Sequence, residues 1–202
     1  MPEYEATMKK KRIIVGITGA SGPQYGIRTL EALRQAGVET HLVLSMASQR
    51  NIVLESDWRV ADVLALADYV YDPDDLSARI ASGSFLTDGM IIAPCSMKSA
   101  SGIASSYSDN LLIRAADVTL KERRRLVLMI RETPLHKGHL AIMLRCADIG
   151  AHILPPMVSF YHRPKTVQDI VDHSVGKGLD ALGVEHDLFQ RWNGDPSQEN
   201  QR

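Results

Sequence analysis

Cysteine is scarce in this chain: 202 residues carry only Cys95 and Cys146, far apart and in no CxxC spacing. A disulfide scaffold is thereby excluded, and a reducing, cytoplasmic setting is expected. An excess of positive charge is also missing, since 23 Lys and Arg face 24 Asp and Glu for a net charge of -1. Nucleic acid is therefore not expected as a partner, and any anion must be held by a local patch. No apolar run approaches the roughly 20 residues of a membrane-spanning helix. The first residues show no hydrophobic signal region, and no internal repeat is found. What is present is ordinary for a soluble globular protein: 45% hydrophobic and 23% charged residues, enough for one domain with a substantial core.

The stretch Ile13 to Gly22, IIVGITGASG, organises the rest. Ile13, Ile14, Val15 and Ile17 are β-branched and suit a strand buried on both faces of a parallel sheet. Gly19, Ala20, Ser21 and Gly22 allow a tight turn that brings backbone close to a ligand. A helix from Tyr25 to Gln35 would then aim its N-terminus at an anion, with phosphate the natural guest. The spacing is not the GxGxxG dinucleotide fingerprint. Further strands are expected at 38–45, 89–94, 126–130 and 153–154. Helices are expected at 46–54, 60–67, 109–123 (capped by Asp109), 135–149 and from Thr166 onward. Residues 1–12, with Lys9, Lys10, Lys11 and Arg12, read as a flexible polar leader, 13–192 as the single domain, and 193–202 as a disordered tail. Alternating strands and helices predict a doubly wound α/β fold, Rossmann- or flavodoxin-like, with helices on both faces of a parallel sheet. Ligands in such folds sit beyond the carboxyl ends of the strands. Ser21, Ser45, the segment Cys95 to Ser99, Arg131 with Glu132, and the segment Pro155 to Tyr161 share that rim.

Several motifs in this order, GITGASG, HLVLSMAS, SGSF, PCSMKS, IRAADVTLKERRRLVLMIRETPLHKGHL, GAHILPPMVSFYHRP and FQRW, resemble those of the UbiX-type flavin prenyltransferases over about Arg12 to Trp192. The resemblance implies transfer of a dimethylallyl group from dimethylallyl monophosphate to N5 and C6 of reduced FMN, without a metal. The product would be the prenylated flavin used by a UbiD-type aromatic-acid decarboxylase. It also implies a homododecamer with sites at subunit interfaces. Carried onto this chain, it assigns FMN to Gly19, Ala20, Ser21, Ser45, Ser96, Met97, Lys98, Ser99 and Arg131. The allylic phosphate falls to Tyr161 and Lys177, with Lys121, Arg114 and Trp192 nearby. Lys177 stands where the family usually has arginine, which keeps the charge but loses the bidentate grip. Glu132, expected to be partly buried near the phosphate, is the proton-transfer residue, with Ser21 and Glu55 as further catalytic candidates.

The residues alone leave alternatives. Arg114 and Lys121 lie about two helical turns apart, so both could face one anion, yet Asp117 and Lys121 also have the spacing of a surface ion pair. His136 and His139 form an HxxH pair without a third metal ligand and read as a surface pair at a helix start. Cys95 has no evident histidine partner and reads as a small strand-end residue. A flavin-dependent decarboxylase of the cysteine type would carry a PASANT-like segment where PCSMKS stands. A flavin-binding accessory subunit of a hydroxyarylic acid decarboxylase would bind FMN and leave it unmodified. Whether a served decarboxylase acts in ubiquinone synthesis or on phenolic acids is not written in the sequence.

Overall fold

Alternating side chains along each central strand build two cores, one on either face of a sheet. Ile13, Val15 and Ile17 join Ile91, Ala93, Val127 and Met129 on one face, while Ile14 joins Met90, Ile92, Leu126 and Leu128 on the other. The computed structural model describes residues 10–192. Its chain runs β1 (Arg12–Ile17), α1 (Pro23–Gln35), β2 (Glu39–Leu44), α2 (Met46–Glu55), α3 (Val60–Leu64) and β3 (Tyr69–Tyr71). A 3-10 turn (Arg79–Ala81), β4 (Gly89–Cys95), α4 (Met97–Ala104), α5 (Leu111–Lys121), β5 (Arg125–Ile130), α6 (Lys137–Asp148), β6 (His152–Ile153) and α7 (Val167–Leu182) follow. All strand pairs are parallel, in the order β3-β2-β1-β4-β5-β6. The fold is thus the expected doubly wound α/β sheet, and its strand order reverses direction between β1 and β4.

Helices α1 and α7 cover the first face and α4 and α5 the second. Arg28 of α1 donates from Nε to Asp172 of α7 at 2.6 Å, tying the first helix to the last. Thr166 caps α7 in a reciprocal box with Asp169, and Gly183 closes the helix in the left-handed region at φ 68°.

Several local expectations need correction. The edge strand β3, the 3-10 turn and α4 are absent from the sequence reading. Three residues are too few to show a period, and the hydroxyl-rich MKSASGIA resembles a loop until Ser96 is seen capping it. Asn110, rather than Asp109, caps α5, its side chain accepting from Ile113 N–H. The leader ends earlier than residue 12. Arg12 belongs to β1, where it pairs with Glu39 and donates its N–H to Asp88, and Lys11 donates to the Gly183 carbonyl. The remaining leader residues 1–9 and the tail 193–202 lie outside the described residues.

Candidate functional site

The turn after β1 is held from behind by α2. Gly19 passes so close to that helix that an added Cβ would lie 2.6 Å from the Ala47 Cβ, and Gly22 sits at φ 95° as the N-cap of α1. Asn51 and Glu55 lie one turn apart on α2 and share a face. Asn51 Nδ2 donates to the carbonyls of Gly19 and Ala20 at 3.2 and 3.1 Å. Glu55 Oε2 accepts from the Ser21 hydroxyl at 2.9 Å and from Gly22 N–H at 2.8 Å. Thr18, buried, links this turn to the one after β4: its hydroxyl donates to the Pro94 carbonyl and accepts from Ser96 N–H, both at 2.8 Å.

In front of these turns lies a cleft of about 500 Å³ lined by Gly19, Ser45, Arg50, Ser96, Lys98 and Ser99, among others. Three helix N-termini open onto it. Ser45 caps α2, Ser96 caps α4 and Asn110 caps α5, each side chain accepting from the third helical N–H. Taking the third donor leaves the first two N–H groups of α2 and α4 toward the cleft, where positive helix ends favour an anion. Lys98 and Arg50 add cationic charge, and Asp74 also lines the cleft. Such a site suits a phosphate-bearing ligand with a flat apolar part beside Leu112 and Ile113.

Of the residues expected to bind flavin, the structure brings Gly19, Ser45, Ser96, Lys98 and Ser99 into this cleft. Ala20 and Ser21 belong to the turn at its edge, and Arg131 Nε donates to the Ser21 carbonyl at 3.2 Å. Met97 differs: it turns away from the cleft to pack against the core beneath α4. Arg131 and Glu132 also line a second cavity of about 320 Å³, with Pro155, Pro156 and Met157. Glu132 is exposed in the single chain, not partly buried as expected, because β5 ends just before it and the segment that follows stands clear of the domain. Among the described residues its one hydrogen bond is from the adjacent Thr133 N–H at 3.1 Å.

A third group gathers where the segment after β6 crosses α7. The Tyr161 hydroxyl lies 2.7 Å from His173 Nε2, and its ring meets Trp192 edge-on at 6.3 Å. Lys177 follows one turn after His173, with its ammonium 3.9 Å from Asp180. Asp180 is held well below the usual carboxylate range by its hydrogen bond to Arg191.

Arg114 and Lys121 do not meet at one anion. Arg114 donates to the Ala81 carbonyl and pairs with Asp117, while Lys121 pairs with the adjacent Glu122, so the alternative Asp117–Lys121 pair is absent too. Helix α5 starts at the cleft and runs about 15 Å down the sheet, which puts Lys121 near the amino end of β5. Cys95 is fully buried, and burial pushes its thiol far up the pH scale, as it does to about 11 for Cys146. A nucleophile is not made there. His136 caps α6, and its ring lies tilted against that of His139. Among the described residues, no three His, Cys, Asp or Glu side chains are grouped to hold a metal.

Asn51, Thr18, Arg50 and Asn110 escaped sequence reasoning. Asn51 alone left a usable signal, the helical spacing to Glu55.

The Flavoprotein family model matches residues 1–178. The flavin prenyltransferase UbiX of Thauera aromatica is 56% identical over 188 residues, covering 93% of this chain and 97% of that protein. Its counterpart in Escherichia coli K12 is 54% identical, with 91% and 99% covered. Among solved structures, AnUbiX in complex with FMN and dimethylallyl pyrophosphate superposes with a TM-score of 0.91 at 48% identity, covering 93% of this chain and all of that one. A dodecameric FMN-dependent Ubix-like decarboxylase from Escherichia coli O157:H7 gives a TM-score of 0.88 at 50% identity, covering 91% of this chain and all of that one. With the cleft at the strand-order reversal and these likenesses across nearly the whole chain, the protein belongs to the UbiX-type flavin prenyltransferases within the Flavoprotein family.

Proposed function

We propose that this chain transfers a dimethylallyl group to reduced FMN, and that the three helix N-termini converging on one cleft are the observation that carries the reading. An anionic, flat ligand fits there because backbone N–H groups, Lys98 and the serine hydroxyls offer donors along one wall, while Leu112 and Ile113 offer apolar contact. Reduced FMN supplies the nucleophilic N5 and C6.

The residues of this chain supply the rest. Ser21, fixed by Glu55, presents the turn to the flavin edge, and Arg131 braces that turn from the other side. Tyr161, Lys177 and Arg131 hold the phosphate of the donor, dimethylallyl monophosphate, and stabilise it as it leaves. Glu132 accepts the proton that the flavin ring must lose, or delivers one to the departing phosphate. Trp192, beside Tyr161, shields the allyl group from water. No metal is called for, because these cations neutralise a monophosphate.

The proposal extends to assembly. Leu140, Leu144, Met157 and Phe160 are exposed along α6 and the segment after β6, Leu144 at 63% and Phe160 at 75%, and such a patch fits burial against further copies. Lys121, facing away from its own chain's cleft, serves a site only by reaching into a neighbour's, and Arg114 shares its helix. We therefore read the protein as a homo-oligomer, a dodecamer as in the E. coli O157:H7 relative, with Glu132 buried by assembly. It works in the cytoplasm, the compartment its two free thiols suit, and hands prenylated FMN to a UbiD-type decarboxylase.

Anaerobic incubation with reduced FMN and dimethylallyl monophosphate, followed by mass analysis of the extracted flavin, tests the reading. A gain of one dimethylallyl unit is expected. Unchanged FMN from folded, flavin-loaded protein would overturn it in favour of a flavin carrier.

A further inference from the structure

We infer that His173 is a positioning residue for the donor phosphate, acting through Tyr161: its Nε2–H donates to the Tyr161 hydroxyl and so aims that hydroxyl's single hydrogen at the phosphate. The inference rests on the transferase reading and adds to it a residue that the motifs do not mark. His173 is 8% exposed, and its Nε2 lies 2.7 Å from the Tyr161 oxygen. Its ring cannot swing away. It stacks on His162 with 4.6 Å between centroids and 6° between planes, and packs against Phe189 at 4.8 Å.

The direction of the hydrogen bond follows from counting hydrogens. A phenol has one, and the outer oxygens of a phosphate dianion only accept. Were Tyr161 to spend its hydrogen on His173, it would offer the phosphate nothing but lone pairs. Ser159 Oγ lies 3.4 Å from both ring nitrogens of His173 and 3.3 Å from His162 Nδ1, so it does not choose the tautomer. The choice falls to Tyr161 and its ligand. Burial, with His162 and Lys177 nearby, lowers the His173 pKa, so the neutral ring carries one hydrogen to place.

Lys177 completes the arrangement. It projects one turn beyond His173 on the same face of α7, and its only carboxylate neighbour among the described residues, Asp180, is already engaged by Arg191 at 2.7 Å and His186 at 3.1 Å. A hydroxyl whose hydrogen is directed by His173 and, one turn along the same face of α7, a loosely held ammonium are thus both available to the phosphate. That pairing restores some of the directionality lost when lysine replaces a bidentate arginine.

The test is steady-state kinetics of His173→Leu, His173→Gln, Tyr161→Phe and the double variant His173→Leu/Tyr161→Phe, with dimethylallyl monophosphate varied. His173→Leu is expected to lower kcat/KM for the donor about five- to tenfold, with FMN affinity unchanged. The amide N–H of His173→Gln should recover most of the loss. In the Tyr161→Phe background, His173→Leu should add nothing. An unchanged kcat/KM, a failed rescue, or an equal loss without the Tyr161 hydroxyl would overturn the inference. Nitrogen-15 NMR of the histidine ring decides the matter without relying on the leucine variant's folding. With inorganic phosphate added to wild type, the Nε2-protonated neutral form is expected, and the Nδ1-protonated form would overturn it. Wild-type protein that makes no prenylated flavin overturns the transferase reading, while the NMR titration still decides the bond.

Discussion

Glu132 and Glu55 show how differently the two carboxylates of the proposed site are prepared. Glu55 is satisfied within the chain by Ser21 and Gly22, an arrangement that suits it to hold the turn. Glu132 has no such commitment. Glu132→Gln should therefore leave FMN binding intact and slow prenyl transfer by about 100-fold or more, read by single-turnover formation of prenylated flavin. Glu55→Ala should do the reverse: FMN affinity falls by about tenfold as the turn loses two hydrogen bonds, measured by fluorescence titration. Neither role was legible from its own neighbours in sequence. Each glutamate alone looks like a surface residue, and only motif order singled them out.

At the scale of elements, the site depends on how closely α1 and α2 approach the sheet and the turn. An added Cβ at Gly26 would come within 2.3 Å of the Ala93 carbonyl, at the end of β4. Gly26→Ala should push α1 off β4 and cost about 1–3 kcal/mol, seen in the denaturant midpoint. The Thr166 cap is a milder case. Thr166→Ala should cost about 1 kcal/mol, with α7 and its Tyr161 contacts otherwise retained. The periodicity of α1, α5 and α7 was readable because each buries one continuous stripe. Helix α4 and strand β3 were not. The first is only eight residues long and built largely from small residues, and the second is a three-residue edge whose pairing partner, β2, is distant in sequence.

For the whole molecule, pH acts through buried histidine and paired carboxylates. His41 is fully buried, bonded to Glu39 and Tyr71, and burial lowers its pKa. The Tyr69, Tyr71 and Phe85 rings surround it, with Arg12 and Arg79 adding positive charge. As pH falls below about 6.5, the unfolded chain takes up a proton there before the folded one does. Stability should thus decline from near that pH down to the lowered folded value, and a thermal melt series in His41→Leu should show a flatter slope. Asp180 and Asp169, both depressed by their hydrogen bonds, act lower still. Their contribution is present above the ordinary carboxylate range and is lost as pH drops through their folded values. The proposed assembly is the other matter at this scale. Leu144→Glu with Phe160→Glu should break the oligomer in sedimentation analysis and abolish transfer while leaving the single-chain fold intact.

The sequence by itself determined the layer architecture and the rim. Strand runs such as IIVGI, GMIIAP and LVLMI, with apolar residues directed to both faces and alternating with amphipathic helices, permit little besides a parallel sheet covered on both sides, and its ligand face is then the one where GASG and PCSMKS emerge. Only the tertiary structure decided the rest: that three helix ends open onto one cleft, that α2 clamps the turn through Asn51 and Glu55, that Lys121 faces away from its own site, and that His173 meets Tyr161. Each of these depends on distances between segments far apart in the chain. Local propensity and periodicity carry no information about such distances, because packing of whole elements sets them.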